Sequence, residues 1–171
     1  MSITQNPSDV LRQKAQKVEE INQETLADIK KIKSSLKKSK LAVAVAAPQI
    51  GISKQIAVTG YKAKNEKEIS VPEFILINPK IISHSNKTEE SDEGCLSFVE
   101  PEIRGVVPRY QEVTVKAINE KGEEIEIKAE GFFARVLQHE IDHLNGVLFV
   151  DRADPQSLYR PEKKDEKPKQ A

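Results

Sequence analysis

The chain is 171 residues long, 37% hydrophobic and 32% charged, which suits one domain with a modest core and excludes a chain disordered throughout. Its 27 basic and 27 acidic residues cancel, so it lacks the basic excess of a protein that binds nucleic acid by neutralising phosphates, and no specific DNA partner is expected. A single cysteine excludes an intrachain disulfide framework, the apolar run at residues 41–48 is too short for a membrane span, and the first residues lack the apolar segment of a secretory signal. These features predict a soluble, single-domain, intracellular protein with a free thiol and no membrane partner.

Residues 2–13 read as an extended arm leading into Val10 and Leu11. Residues 22–40 then carry Leu26, Ile29, Ile32 and Leu36 at steps of three and four, the pattern of an amphipathic helix. Asn22 suits its N-cap, and Lys37, Lys38 and Lys40 suit the negative end of its dipole. The texture changes at residues 41–52, LAVAVAAPQIGI, which are small and apolar with one polar residue, Gln49. Pro48 argues against a regular helix or strand there, so a tight apolar loop is expected.

Strand signals follow at residues 55–59, 74–78 and 81–82. Val113, Val115 and Ala117 alternate, as do Ile125 and Ile127, and the NEKGE between them supplies a turn, which together predict a β-hairpin. Gly131 opens a second helical pattern that places Phe132, Val136, His139 and His143 on one face, with Gly146 as its stop. Residues 161–171 are charged, carry two prolines and read as a mobile tail beyond a domain at residues 1–160. The sum is an α+β fold: a compact single domain of short antiparallel strands around a central helix that carries His139 and His143, with one further N-terminal amphipathic helix.

Residues 139–143 spell H-E-x-x-H inside that second helix. Residues four apart stand one above the other on a helix face, so His139 and His143 can converge on one metal ion, with Glu140 beside them as an acid–base group. A catalytic site needs a third protein ligand. Cys95, His84 and carboxylates beyond residue 143 are the candidates. A lone cysteine is usually a small buried hydrophobe, His84 sits in a polar serine-flanked stretch, and the later carboxylates lie mostly in the tail. An ordinary H-E-x-x-H zinc endopeptidase would need a downstream ligand on another helix, which the sequence does not offer.

EGCLS at residues 93–97, QHEIDH at 138–143 and AAPQIGI at 46–52 together resemble the three motifs of the peptide deformylase family, in the family's order and over nearly the whole chain short of the tail. The resemblance implies a hydrolase that removes the formyl group from the N-terminal formyl-methionine of nascent polypeptides, near the ribosomal exit of a bacterial or organelle-type translation system. It implies one divalent metal, iron(II) first and zinc, nickel or cobalt as substitutes, held by Cys95, His139 and His143 with a water in the fourth position. Glu140 becomes the general acid–base, and the Gln49 side chain and the Leu96 N–H become the oxyanion donors. Val43, Ala44, Arg104, Phe132 and Val136 are the residues expected to line the substrate groove.

Two departures stand out. The family's first motif has glycines where this chain has Ala42 and Ala44, and a leucine where it has Val45. An added Cβ disfavours positive φ and crowds a neighbouring peptide, which predicts weaker substrate fit. After Ser97 the chain runs FVEPEIR, a longer link to Arg104 than the family's usual one. These departures favour an alternative, a catalytically weak or silent relative with a binding role, whereas intact Gln49, Glu140, Cys95, His139 and His143 favour the enzyme.

Overall fold

A computed structural model describes residues 2–39, 42–66, 68–99 and 101–162 of the protein. A four-residue helix α1 (Asp9–Arg12) follows the N-terminal arm, and α2 is Gln23–Lys38. The strands are β1 (Ala44–Ala46), β2 (Ile56–Tyr61), β3 (Val71–His84), β4 (Thr88–Val99), β5 (Glu102–Tyr110), β6 (Glu112–Ile118) and β7 (Glu124–Glu130), and α3 is Gly131–Leu144. A five-stranded antiparallel sheet runs in the order β1-β2-β3-β6-β7, and β4 and β5 form a separate two-stranded hairpin. The expected α+β class and antiparallel pairing stand. The strands are not uniformly short, since β3 has 14 residues and β4 has 12.

The sheet separates two cores by strand alternation. Ala57 and Leu76 share one core with Ala134, Leu137, Ile141 and Leu144 of α3. Their strand neighbours Ile56, Val58, Ile75 and Ile77 turn to the other core, which holds Ile29, Ile32 and Leu36 of α2. Full burial of each such aliphatic side chain is worth about 1.5–3 kcal/mol. A third cluster, with Leu11, Phe98, Val107 and Phe149, packs under the β4–β5 hairpin and takes in Cys95.

Asn22 caps α2, its Oδ1 accepting from the Thr25 N–H at 3.0 Å. Leu26, however, is 37% exposed. Thr25 and Asp28 take the inward positions instead because each finds a polar partner: the Thr25 hydroxyl donates to the Glu20 carbonyl at 3.0 Å, and Lys54 reaches Asp28 at 2.8 Å. Lys40 and Leu41, which end the helix and begin the apolar run in the sequence, lie outside the described residues.

Burial opposes charge on Asp28, but the ammonium groups of Lys31 and Lys54 outweigh it and hold its carboxyl below the ordinary value. A lowered carboxylate contributes stability that is present above its unfolded pKa, near 4, and lost as pH falls through the folded value. Asp28→Asn should therefore lower Tm by about 2–4 °C at pH 7, the size of a ~1 kcal/mol ion pair. That gap should close as pH is taken below 4, and thermal melts of both proteins from pH 7 to pH 3 measure it.

Residues 42–52 are more regular than expected. Pro48 sits in the first turn of a 3-10 helix (Ala47–Ile50), where its missing N–H costs nothing, and β1 precedes it as the sheet's edge. The two segments predicted near residues 74–82 are one strand, interrupted where Asn78 adopts φ 52°. The Asn78 amide clamps Val18, accepting from its N–H at 2.9 Å and donating to its carbonyl at 2.8 Å. The β6–β7 hairpin pairs as expected, with Val115 opposite Ile127. Gly146 closes α3 at φ 74°, and a Cβ there would meet the Arg12 carbonyl oxygen at 2.6 Å. No helix among the described residues is long and apolar enough to cross a membrane. Of the sequence's charged tail, residues 163–171 lie outside the described residues.

Candidate active site

α3 presents His139 and His143 one turn apart, their ring centroids 4.9 Å from each other. β4 brings Cys95 to them. Its Sγ lies 3.3 Å from His143 Nε2, and one ligand atom from each of the three residues falls within 4.8 Å of the others. His84, the other histidine, is exposed at the end of β3, stacked on Tyr110 and outside this group. Burial disfavours charge on both Cys95 and His139. Attraction to His143 and His139 nevertheless brings the thiol well below its ordinary range, and Cys95 and Glu93 bring the His139 imidazole well above its own.

His139 is oriented from behind, its Nδ1 3.0 Å from Glu93 Oε2. Glu93 takes two further bonds from Arg109, at 2.8 and 3.0 Å, and Arg109 reaches Asp142 Oδ2 at 2.5 Å. Arg152 closes the chain on Asp142 at 2.5 and 2.6 Å. Burial would raise the Glu93 carboxyl, but the bonds from His139 and Arg109 bring it down to about 2. Glu93 is therefore an anion that fixes the ring of a metal-ligand candidate, an arrangement typical of metal sites. Gln138 secures α3 to β5, accepting from the Tyr110 N–H at 3.0 Å and donating to the Tyr110 carbonyl at 2.9 Å. None of these roles was read from the sequence. Glu93, Gln138 and Asp142 sit inside the two quoted motifs, a usable signal. Nothing local points to Arg109 or Arg152.

Glu140 is 4% exposed, and burial pushes its carboxyl above the ordinary value against the pull of His139 and His143. Its Oε2 is buried with no hydrogen-bond partner among the described residues. A thiolate-forming cysteine, two imidazoles and an unpartnered carboxylate oxygen beside them make the donor set of an open, tetrahedral divalent-metal site, so the residues fit a metal ion. Gln49 is 2% exposed. Its Oε1 accepts from the Ala46 N–H at 2.9 Å, which turns its Nε2 to the Cys95 sulfur at 3.4 Å.

A cavity of about 350 Å³ opens on this centre. Gln49, Cys95, Leu96, His139 and Glu140 line it, and so do all five groove residues expected from the sequence: Val43, Ala44, Arg104, Phe132 and Val136. Val43 and Phe132 also pack with the buried Ala44, Val71 and Val136, so pocket wall and core are here the same residues. Arg104 is held by Asp92 at 2.6 Å, and a Cβ on Gly94 would meet its guanidinium at 2.8 Å, which explains the glycine before the cysteine. Asn78 is the one non-glycine residue with positive φ among the described residues, so Ala42 and Ala44 carry no backbone strain. The sequence-based concern over positive φ at these alanines is thereby corrected. Their methyl groups remain in the cavity wall.

The model of the polypeptide deformylase family matches residues 1–158. A peptide deformylase of Halalkalibacterium halodurans is 54% identical over 114 residues, which are 66% of this chain and 60% of that protein. One of Natranaerobius thermophilus is 43% identical over 89% of this chain and 91% of its own length. The crystal structure of a peptide deformylase from Synechococcus elongatus in complex with actinonin superposes with a TM-score of 0.80 at 37% identity, covering 90% of this chain and 80% of that one. Motifs, fold and relatives agree along the same residues, and the chain belongs to the polypeptide deformylase family.

Proposed function

We propose that this chain is an active, metal-dependent peptide deformylase that hydrolyses the formamide bond of N-formyl-methionyl peptides, giving formate and a free amino terminus. The observation that carries this reading is the meeting of Cys95, His139 and His143 within 4.8 Å at a cavity lined by Cys95 and His139 together with Glu140 and Gln49, with His143 buried behind that wall. Cys95, His139 and His143 would hold one divalent ion. When bound, such an ion supplies Lewis acidity to a carbonyl oxygen and to water. Iron(II) follows from the family resemblance, and a Cys/His/His set also accepts zinc, nickel or cobalt.

The chain's own residues supply the rest. Glu140 takes the proton of the attacking water and later delivers it to the departing amine, so the C–N bond breaks with a neutral leaving group. The Gln49 amide N–H and the Leu96 backbone N–H donate to the tetrahedral oxygen, and removing one such donor typically costs ~3 kcal/mol of transition-state stabilisation. Val43, Phe132 and Val136 receive the methionine side chain. The substrate class places the enzyme in the cytoplasm of a bacterial or organelle-type translation system, near the ribosomal exit.

Formate release from formyl-Met peptides by anaerobically purified, iron-loaded protein tests this directly. Release that stops on chelation and returns with metal supports it. No release with any divalent ion would leave the catalytically silent relative as the better reading. The alanine methyl groups in the cavity wall lead to one further expectation. Crowding a packed contact costs about 1–3 kcal/mol, roughly tenfold to a hundredfold in binding. Restoring both glycines, Ala42→Gly with Ala44→Gly, should therefore raise kcat/KM chiefly through a lower KM. A gain in kcat at unchanged KM would mean that the alanines act on the transition state.

A further inference from the structure

The segment carrying the metal-ligand candidate and one oxyanion donor lies in a break of its own ladder. β4 pairs with β5 up to Gly94 opposite Arg104 and resumes only at Val99 opposite Glu102, so residues 95–98 have no ladder partner. The N-terminal arm supplies bonds there. Gln5 Nε2 donates to the Leu96 carbonyl at 2.9 Å, and Gln5 Oε1 accepts from the Val99 N–H at 3.2 Å. The Asn6 N–H donates to the Ser97 carbonyl at 2.9 Å.

The same arm grips the opposite wall. The Thr4 N–H donates to the Gln49 carbonyl at 2.7 Å, and Ile3 packs in the cluster that holds Ile50 and Leu96. Gln49 follows β1, the edge of the five-stranded sheet, while Leu96 belongs to the hairpin. No strand pairing joins these two sheets among the described residues. The arm is therefore a direct tie between the two places from which the oxyanion donors come.

We propose that residues 3–6 form a strap that fixes the spacing between Gln49 and Leu96, with Gln5 as a positioning residue for deformylation. Donors aimed at a developing charge act by preorganisation, so a shift of a few tenths of an ångström weakens transition-state binding more than ground-state binding. Gln5 touches neither substrate nor metal in this arrangement. Its effect should appear in kcat, not in KM or metal content. This inference rests on the proposed roles of Gln49 and Leu96.

The test uses the full chain, metal-loaded, with Gln5→Met, which keeps the shape and removes both side-chain bonds, and Gln5→Glu, which keeps the acceptor for Val99 and loses the donor to Leu96. Both variants should lose about tenfold in kcat, a fraction of the hundredfold or more for outright removal of a donor. KM should move less than twofold, and Tm and metal content should match the parent. Parental kcat in both variants would overturn the strap, as would a loss that follows KM, metal content or Tm. Parental activity is measured first. If the parent releases no formate, the functional reading itself fails, a result distinct from an active parent with indifferent Gln5 variants.

Discussion

Glu140→Gln should cut formate release by about a hundredfold to ten-thousandfold while the protein keeps its metal, the range typical of a lost general acid–base. Glutamine preserves the size of the side chain but cannot accept a proton from water. The carboxylate is suited to the task because it is buried at 4% exposure, with one oxygen unpartnered and its pKa above the ordinary carboxylate value. A raised pKa makes it a stronger base while ionised and a competent acid once protonated. Because Glu140 is not among the three converging ligand candidates, its loss should leave metal binding intact. Elemental analysis and turnover on the same preparation decide the matter. Near-parental turnover in metal-loaded variant would remove Glu140 from the mechanism.

Arg109→Leu should cost about 3–5 kcal/mol of stability, the usual result of leaving a buried ion pair without one partner. For a chain of this size that is roughly 6–20 °C of Tm. Arg109 is 4% exposed and bonds two carboxylates at once, Glu93 through Nε and Nη2 and Asp142 through Nη1. Asp142 retains Arg152, whereas Glu93 keeps only His139 among the described residues. The variant should also hold metal about ten- to a hundredfold less tightly, as when an orienting partner of a ligand is lost. Thermal melts with and without metal, together with chelator competition, separate the two effects. An unchanged Tm would mean that the network is not a stabilising unit.

The helical frame of the centre was legible because His139 and His143 stand four residues apart in a segment whose apolar residues share their face. Cys95 could be joined to them only through the family resemblance, since a lone cysteine has no spacing rule and it lies 48 residues from His143. β4 and β5 escaped the periodicity reading for a physical reason. Residues 88–94 of β4, TEESDEG, are polar without alternation because most of them are exposed, and in β5 the alternate buried positions are Gly105, Val107 and Arg109, only one of them a large apolar residue. β1 escaped because three small residues before a proline carry little strand signal.

Composition, periodicity and motifs in the sequence by themselves determined the α+β class, the capped α2, the β6–β7 hairpin, the histidine pair on one face of α3 and, through the resemblance, the family. These are local properties, set by which residues follow one another within a turn or a strand. Tertiary structure alone decided that Thr25 and Asp28, not Leu26, complete the buried face of α2, where Arg109 and Arg152 join the network behind His139, and how the N-terminal arm bridges Gln49 and Leu96. Each depends on bonds between distant segments. A buried arginine or a bridging glutamine looks like any other polar residue until chain closure removes water and leaves it specific partners.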